Sequence, residues 1–235
     1  HELRTGYVSS SDAGLYPTAG QQFLKIQAIG EENLVYNLTN QYSITEGQTL
    51  ETLAGVCDGR SVTVSSGTYT MPTVTTYYTV PTTSYGDFPG SAISYKPPPG
   101  TRQVIYKFKY YTGPIDTNYG MALKFFLGGT EVTAAKYHVD IRISHDYTDY
   151  FYYIIEIGGT DDIANGKLAS WDTLKEMKLQ ITVESSSFEL NVNFNKYEYT
   201  GNDYGSVGYV RKPSLEIQAI GRKSDTTFLN SFFNE

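Results

Sequence analysis

The chain has 235 residues, of which 18% are charged, and a net charge of −7 with an isoelectric point near 5.0. A nucleic-acid partner requires clustered lysine and arginine to neutralise phosphates, and the sequence has no such cluster. No apolar stretch approaches the roughly 20 residues of a membrane-spanning helix, and an acidic surface is poorly suited to anionic lipid. We therefore expect neither a nucleic-acid nor a membrane partner.

The composition favours β-structure, because 22 tyrosines and many threonines and valines suit a pleated, half-buried surface. Cys57 is the single cysteine, so an intrachain disulfide is excluded, which favours a reducing compartment or a fold that needs no cross-link. Asn37-Leu38-Thr39 matches a glycosylation sequon, although an ordinary strand–turn triplet is the preferred interpretation. Because the chain starts at His1 rather than methionine, we expect a processed or trimmed chain, or part of a longer polypeptide.

A seven-residue segment near the N-terminus recurs almost unchanged near the C-terminus. Residues 24–30, Leu-Lys-Ile-Gln-Ala-Ile-Gly, return at 215–221 with one change, glutamate for lysine. Chance convergence of two strands is one explanation. The preferred one is that the same module-ending strand occurs twice. Residues 1–44 are then an N-terminal extension that holds the end strand of a preceding module.

The segment 45–100 differs in composition from the rest of the chain. From residue 65 onward it is rich in threonine, serine, tyrosine and proline, and it ends in Lys96-Pro97-Pro98-Pro99-Gly100. Three consecutive prolines cannot donate to a strand ladder and favour an extended polyproline run. We predict that 45–100 is an extended arm or connector leading into the main domain.

Residues 101–221 show the alternation of half-buried strands. Val104, Tyr106, Phe108 and Tyr110 share one face, and a Gly128-Gly129 turn indicates a hairpin. Further strands are predicted over residues 123–127, 131–132, 137–143, 150–157, 177–183, 188–194 and 215–220. A turn at Ser185–Ser187 would join two of these strands, and 167–178 could hold one short helical turn through Leu168, Trp171 and Leu174. The pattern predicts an antiparallel sandwich or barrel, followed by a tail over 222–235.

Residues capable of catalysis or metal binding occur without a recognisable motif. Cys57 lacks a catalytic signature and is expected to be a small buried residue at a strand end. His138 and His145 are an odd number of residues apart, which places them on opposite strand faces. Candidate glycosidase carboxylates such as Glu156 and Glu189 are not singled out by the sequence. We therefore predict no catalytic residues, no cofactor and no enzyme activity.

One loop is a weak candidate for calcium. Asp161, Asp162 and Asn165 supply oxygen ligands before Gly166, but their spacing does not fit an EF-hand. A plain Asx turn is the preferred interpretation.

The aromatic clusters are the strongest candidates for a binding surface. Tyr147, Tyr150, Tyr152, Tyr106 and Phe108 are predicted to form an oligomer interface, to stack on glycans, or to fill the core. Tyrosine suits an interface because it offers a large rigid surface and a polar tip.

Several strings spread over about residues 45–221 together resemble those of one family. They are Leu50–Leu53, Cys57–Thr70, Ile93–Tyr95, Pro97–Thr101, Val104–Tyr106, Gly129–Thr133, Asp161–Lys167 and Lys212–Ile217. In these strings the chain resembles virion proteins of large double-stranded DNA viruses of algae and related marine sequences. The resemblance implies a jelly-roll domain, similar to tumour-necrosis-factor-like and complement globular heads, over residues 101–221. Such heads are usually trimers with aromatic residues on the strands at the axis.

The resemblance implies a capsid-associated structural protein located in the virion. It would serve as a penton-like vertex protein, a minor or cement protein, or a fibre head. It would pack with other capsid proteins as a homo-oligomer, a trimer or a pentamer. The alternative is a carbohydrate-binding head that recognises glycans on a host surface.

Overall fold

The computed structural model describes residues 47–81, 84–113, 119–141, 147–183, 190–195, 198–200, 203–205 and 209–221. Thr49–Gly221 forms one compact unit. Two predicted segments lie outside the described residues: the extension over 1–44, with its repeated segment Leu24–Gly30, and the tail over 222–235.

The described part of the chain is almost entirely β-structure. Its strands are β1 (Thr49–Val56), β2 (Ser61–Val64), β3 (Gly67–Thr70), β4 (Tyr78–Thr79), β5 (Gly86–Asp87), β6 (Ile93–Tyr95), β7 (Thr101–Thr112), β8 (Tyr119–Leu127), β9 (Thr130–Ile141), β10 (Tyr147–Ile157), β11 (Lys167–Leu168), β12 (Lys175–Val183), β13 (Asn191–Val192), β14 (Phe194–Asn195), β15 (Glu198–Thr200), β16 (Asp203–Gly205), β17 (Tyr209–Val210) and β18 (Ser214–Gly221). A single turn of 3-10 helix over Ile163–Asn165 interrupts this series among the described residues.

Two sheets carry the architecture. The first has the order β1-β18-β7-β10-β11, and the second has the order β5-β12-β8-β9 with β6 also on β12. To compare this order with known topologies, we count β5 and β6 as one strand. The eight principal strands, numbered 1 to 8 along the chain, are then β1, β5/β6, β7, β8, β9, β10, β12 and β18. The sheets then read 1-8-3-6 and 2-7-4-5, which is the double Greek key of a jelly roll. The predicted antiparallel jelly-roll sandwich is confirmed.

Aromatic side chains fill the space between the sheets. Alternate residues of β7 point inward, and Val104, Tyr106, Phe108 and Tyr110 are all 0% exposed. The Tyr106 ring lies 5.0 Å from that of Phe125 on β8 in the opposite sheet. Tilted and edge-on contacts of this kind are favourable beyond the area they bury.

The segment predicted as an arm is instead part of the sandwich. Residues 49–95 contribute β1 to β6, and Leu53, Met71 and Tyr95 lie in the core. The polar composition is misleading because the threonines and serines occupy the outward positions of short strands. The three prolines cross from β6 in one sheet to β7 in the other, a connection that needs no ladder donors.

The strand predicted over 188–194 is broken at Asn193. This buried residue has φ +59°, so the chain changes direction between β13, which pairs with β4 and β7, and β14, which pairs with β17. Its backbone N–H donates to the Tyr111 carbonyl at 2.7 Å, and its Nδ2 donates to the Pro89 carbonyl at 3.1 Å. Phe188 and the turn predicted at Ser185–Ser187 lie outside the described residues.

The helical turn predicted over 167–178 is absent there. Leu168 lies in β11, and Trp171 is buried with its indole N–H donating to the Tyr95 carbonyl at 3.2 Å. Leu174 is 64% exposed, so the three apolar residues do not share one face. The hairpin predicted at Gly128-Gly129 is confirmed, with φ of +59° and +84° at the two glycines.

A buried carboxylate ties the first strand to its neighbours. Glu51 of β1 is 7% exposed and accepts hydrogen bonds from Ser65 Oγ (2.6 Å), Ser66 N (2.9 Å), Ser66 Oγ (2.5 Å) and the Tyr95 hydroxyl (2.5 Å). Burial by itself raises the pKa of Glu51, but these donors outweigh it and hold the pKa below the ordinary value. The carboxylate thereby joins β1, the β2–β3 turn and β6.

Replacing Glu51 by alanine should destabilise the domain by about 2–4 kcal/mol, because Tyr95 and both serines lose a buried acceptor. Urea unfolding followed by circular dichroism measures the change. The half-exposed Glu216, on neighbouring β18, provides the control: Glu216→Ala should cost no more than about 0.5 kcal/mol. Equal losses in the two variants would contradict the role given to Glu51.

The contribution of Glu51 should also depend on pH. Because its pKa is lower in the folded state, its stabilisation is complete above the ordinary glutamate pKa and is lost as pH falls through the folded value. The difference in unfolding free energy between wild type and Glu51→Ala should therefore be constant near neutrality and shrink in acid. A difference that grows on acidification would contradict the lowered pKa.

Candidate functional site

The outer surface of the first sheet carries a tyrosine–cation face, defined here as Lys107, Lys109, Tyr111, Tyr150, Tyr152 and Arg211. Alternation sends the lysines of β7 outward because the aromatic residues between them point into the core. The antiparallel register then places Lys109 opposite Tyr150 and Lys107 opposite Tyr152 on β10. Tyr150 is 47% exposed and Tyr152 is 53% exposed.

Cations and aromatic rings alternate across this face. The Nζ atoms of Lys107 and Lys109 lie 5.7 Å and 5.6 Å from the centroid of the Tyr150 ring. The Arg211 guanidinium lies 3.9 Å from the centroid of the Tyr111 ring, and Lys109 Nζ lies 5.7 Å from the same centroid. Each contact holds a cation close to a ring without neutralising its charge.

The face is electropositive although the chain is acidic. Lys107 Nζ lies 3.7 Å from a Glu216 carboxylate oxygen. Among the described residues, Lys109 and Arg211 have no carboxylate within salt-bridge distance. The face therefore offers positive charge and aromatic surface together, an arrangement that fits an acidic partner surface.

The predicted aromatic candidates fall on both sides of the sheet. Tyr150 and Tyr152 point outward and belong to the face. Tyr106 and Phe108 are 0% exposed on the inner side, which places them in the core and removes them from the candidates for surface contact. Tyr147 begins β10, but its side chain lies outside what the structure describes.

Sequence reasoning missed Tyr111 and Arg211. Tyr111 continues the outward series Lys107–Lys109 on β7 and was detectable from alternation. Arg211 is distant in sequence and reaches Tyr111 because its N–H donates to the carbonyl of Asn193, whose own N–H donates to Tyr111. No local signal predicts that approach.

The weak calcium candidate forms a self-contained turn. Asn165 Nδ2 donates to Asp162 Oδ2 at 2.7 Å, and Asp161 Oδ1 accepts the Ala169 N–H at 2.6 Å. Within the described residues no group of three or more histidine, cysteine, aspartate or glutamate side chains could hold a metal ion. His138 is exposed, while His145 lies outside the described residues.

Cys57 is buried as predicted, directly after β1. It is 0% exposed, and its Sγ donates to the Gly90 carbonyl at 3.2 Å. Burial, with a smaller contribution from Asp58, raises the pKa of the thiol to about 12. A protonated, enclosed thiol is a packing group and a poor nucleophile.

Strand order, the enclosed aromatic core and the outward cation face together define a jelly-roll protein with a candidate interaction surface. No protein-family model matches the chain, and no curated protein matches it. In the part of the chain that the structure describes, no helix is long and apolar enough to cross a membrane.

Among solved structures, the chain is similar to several of infectious bursal disease virus. The chain is similar to the crystal structure of the VP2 subviral particle, at 9% identity and TM-score 0.34, covering 75% of this chain and 39% of that one. For the structure of the Gx strain the identity is 10% and the TM-score 0.34, and the match covers 75% of this chain and 38% of that one. For the structure of the Gt strain the identity is 13% and the TM-score 0.23, and the match covers 72% of this chain and 44% of that one. The chain thus spans about two fifths of the length of these chains.

The buried thiol leads to a test of the fold at its first strand. At pH 8 the native protein should react with a disulfide reagent such as DTNB at least about 100-fold more slowly than the urea-unfolded chain, because the thiol is both enclosed and protonated. Absorbance of the released thiolate reports the rate. Rapid labelling of native protein would contradict the enclosed position of Cys57.

Proposed function

We propose that this chain is a structural protein of a virus particle, in which the tyrosine–cation face packs against a neighbouring subunit of a symmetric oligomer. The observation that carries the proposal is the face itself, in which the half-exposed Tyr150 and Tyr152 stand beside three cations. Lys107 has a carboxylate oxygen of Glu216 at 3.7 Å, whereas Lys109 and Arg211 have no carboxylate partner among the described residues. Tyrosine and arginine are the residues that most often dominate binding energy at protein interfaces. The jelly roll is a fold that capsid proteins use, although lectin domains use it as well.

The resemblance of several sequence strings to virion proteins of algal and marine viruses supports the same role. Within that role, a vertex protein, a minor or cement protein and a fibre head all need a surface for symmetric packing, as a trimer or a pentamer.

These three kinds of virion protein differ in abundance. Mass spectrometry of purified particles should find the chain, at low copy number for a vertex protein and at high copy number for a cement protein. Particles without the chain would overturn the virion assignment.

The packing role is tested by a double substitution, Tyr150→Ser with Tyr152→Ser. It should weaken self-association at least tenfold, since removal of a central interface aromatic commonly costs about 2 kcal/mol or more. Light scattering coupled to size-exclusion chromatography over a dilution series gives the dissociation constant. Tyr77→Ser is the matched control, because Tyr77 is 50% exposed but lies outside the face. If the double variant associates like wild type, the face is not the interface.

A second candidate function is recognition of host-surface glycans. The observation in its favour is Tyr152, whose ring is 53% exposed in a row with the polar Lys107 and Glu216. An aromatic platform beside hydrogen-bonding groups suits a sugar ring. A glycan array distinguishes the two functions: a monomer that binds defined glycans, and loses them on Tyr152→Ser, would replace the packing proposal.

A further inference from the structure

The sandwich is open along one side, where β9 and β10 face each other from different sheets. β9 is the outermost strand of the second sheet and pairs with β8 alone among the described strands. β10 pairs with β7 along one edge. On its other edge, among the described residues, the paired strand β11 covers only Glu156–Ile157. Long strand edges of this kind are templates for addition of another strand.

Hydrogen bonds at the C-terminal end of β10 show which of its backbone N–H and C=O groups point to the open edge. The N–H groups of Glu156 and Gly158 donate toward the β11 side, to the carbonyls of Gly166 and Leu168. Because strand geometry repeats every second residue, the backbone groups of Ile154, Tyr152 and Tyr150 also point to this open edge.

The open edge borders a groove of about 280 Å³, lined by Ala134–Tyr137 of β9 and Tyr150–Tyr153 of β10. A bulge shapes the β9 wall, because Val132 pairs with Phe125 and Tyr137 with Leu123, leaving four residues of β9 opposite one residue of β8. The small side chains of Ala134 and Ala135 give the groove its depth. This volume accommodates one or two apolar side chains from alternate positions of an extended peptide.

The charges around the groove select an acidic occupant. Lys124 and Lys136 share one carboxylate, that of Glu131, at 3.1 Å and 3.3 Å. Lys109 has no carboxylate partner among the described residues. Asp149 lies at the same edge, where its oxygens accept hydrogen bonds from the Tyr110 hydroxyl (3.1 Å) and the Tyr150 N–H (2.7 Å), two neutral donors that do not cancel its charge. The lysines named here still outnumber the two carboxylates, so these groups leave a small excess of positive charge around the groove.

We propose that the groove between β9 and β10 receives an extended acidic segment of a neighbouring subunit, which adds as a strand to the open edge of β10. The proposal rests on the assembly role proposed above, since Tyr150 and Tyr152 belong both to the groove and to the tyrosine–cation face. Main-chain hydrogen bonds would supply affinity, and apolar side chains at alternate positions would enter the groove. The acidic side chains between them would meet the lysines of the tyrosine–cation face.

Two ten-residue peptides test the proposal on the full chain, one alternating aspartate with valine and the other alternating lysine with valine. Fluorescence anisotropy of the labelled peptides should show the aspartate peptide binding at least about tenfold more tightly, with the preference reduced at high salt. Hydrogen exchange should slow at the amides of Tyr152 and Ile154 when the aspartate peptide is bound. Equal affinities, unchanged exchange at these amides, or no binding up to about 1 mM would overturn the proposal.

A variant that fills the groove separates this site from other acidic-peptide sites. Ala134→Phe, at an exposed position on the groove wall, should weaken the aspartate peptide at least tenfold. Ala169→Phe, equally exposed but outside the groove lining, should leave its affinity unchanged. Unimpaired binding by Ala134→Phe would overturn the docking site. Light scattering on the same samples reports self-association, so an oligomer that persists without peptide binding would refute the groove while leaving the packing role intact.

Discussion

Strand β7 is the element on which the rest of the molecule depends, because one of its faces packs in the core and the other forms part of the candidate site. Its inward residues, among them Tyr106 and Phe108, meet aromatic rings of the opposite sheet and hold the sandwich together. Its outward lysines, Lys107 and Lys109, both lie over the ring of Tyr150 on β10. A strand alternates strictly, so the packing that buries one set of side chains necessarily presents the other set to solvent. The core and the candidate site are thus two consequences of one register.

The outward face combines exposed tyrosine rings with lysine and arginine on a chain whose net charge is −7. Lysine and arginine are positioned by tyrosine rings, which orient a cation without cancelling its charge. This differs from the Lys124–Glu131–Lys136 cluster, where a carboxylate neutralises part of the charge. A partner with acidic groups would gain both the charge and the aromatic surface, and those gains come without a large ordering cost because the side chains are already held on a rigid sheet.

Buried polar groups organise the connections at the margins of the sandwich. Glu51 gathers hydroxyl and backbone donors from β6 and the β2–β3 turn, and Asn193 turns the chain between two small strand pairs while holding Pro89 and Tyr111. Both are enclosed, where a lost hydrogen bond costs more than on the surface. Both carboxylate oxygens of Glu51 accept hydrogen bonds, whereas the side-chain oxygen of Asn193 has no partner among the described residues. Asn193 also brings Arg211 to the tyrosine–cation face, because its carbonyl accepts the Arg211 N–H.

Period-two alternation was enough to predict the β class, the central strands and the Gly128-Gly129 hairpin from sequence. Alternation failed at Asn193, whose left-handed backbone conformation interrupts the strand. It also failed over 49–95, because the threonines and serines of these strands made the segment look like a polar connector. Three features depend on tertiary structure: the strand order, the burial of Tyr106 against the exposure of Tyr150 and Tyr152, and the contact of Arg211 with Tyr111. The reason is physical: alternation defines two faces of each strand, but which face is buried depends on partners distant in sequence.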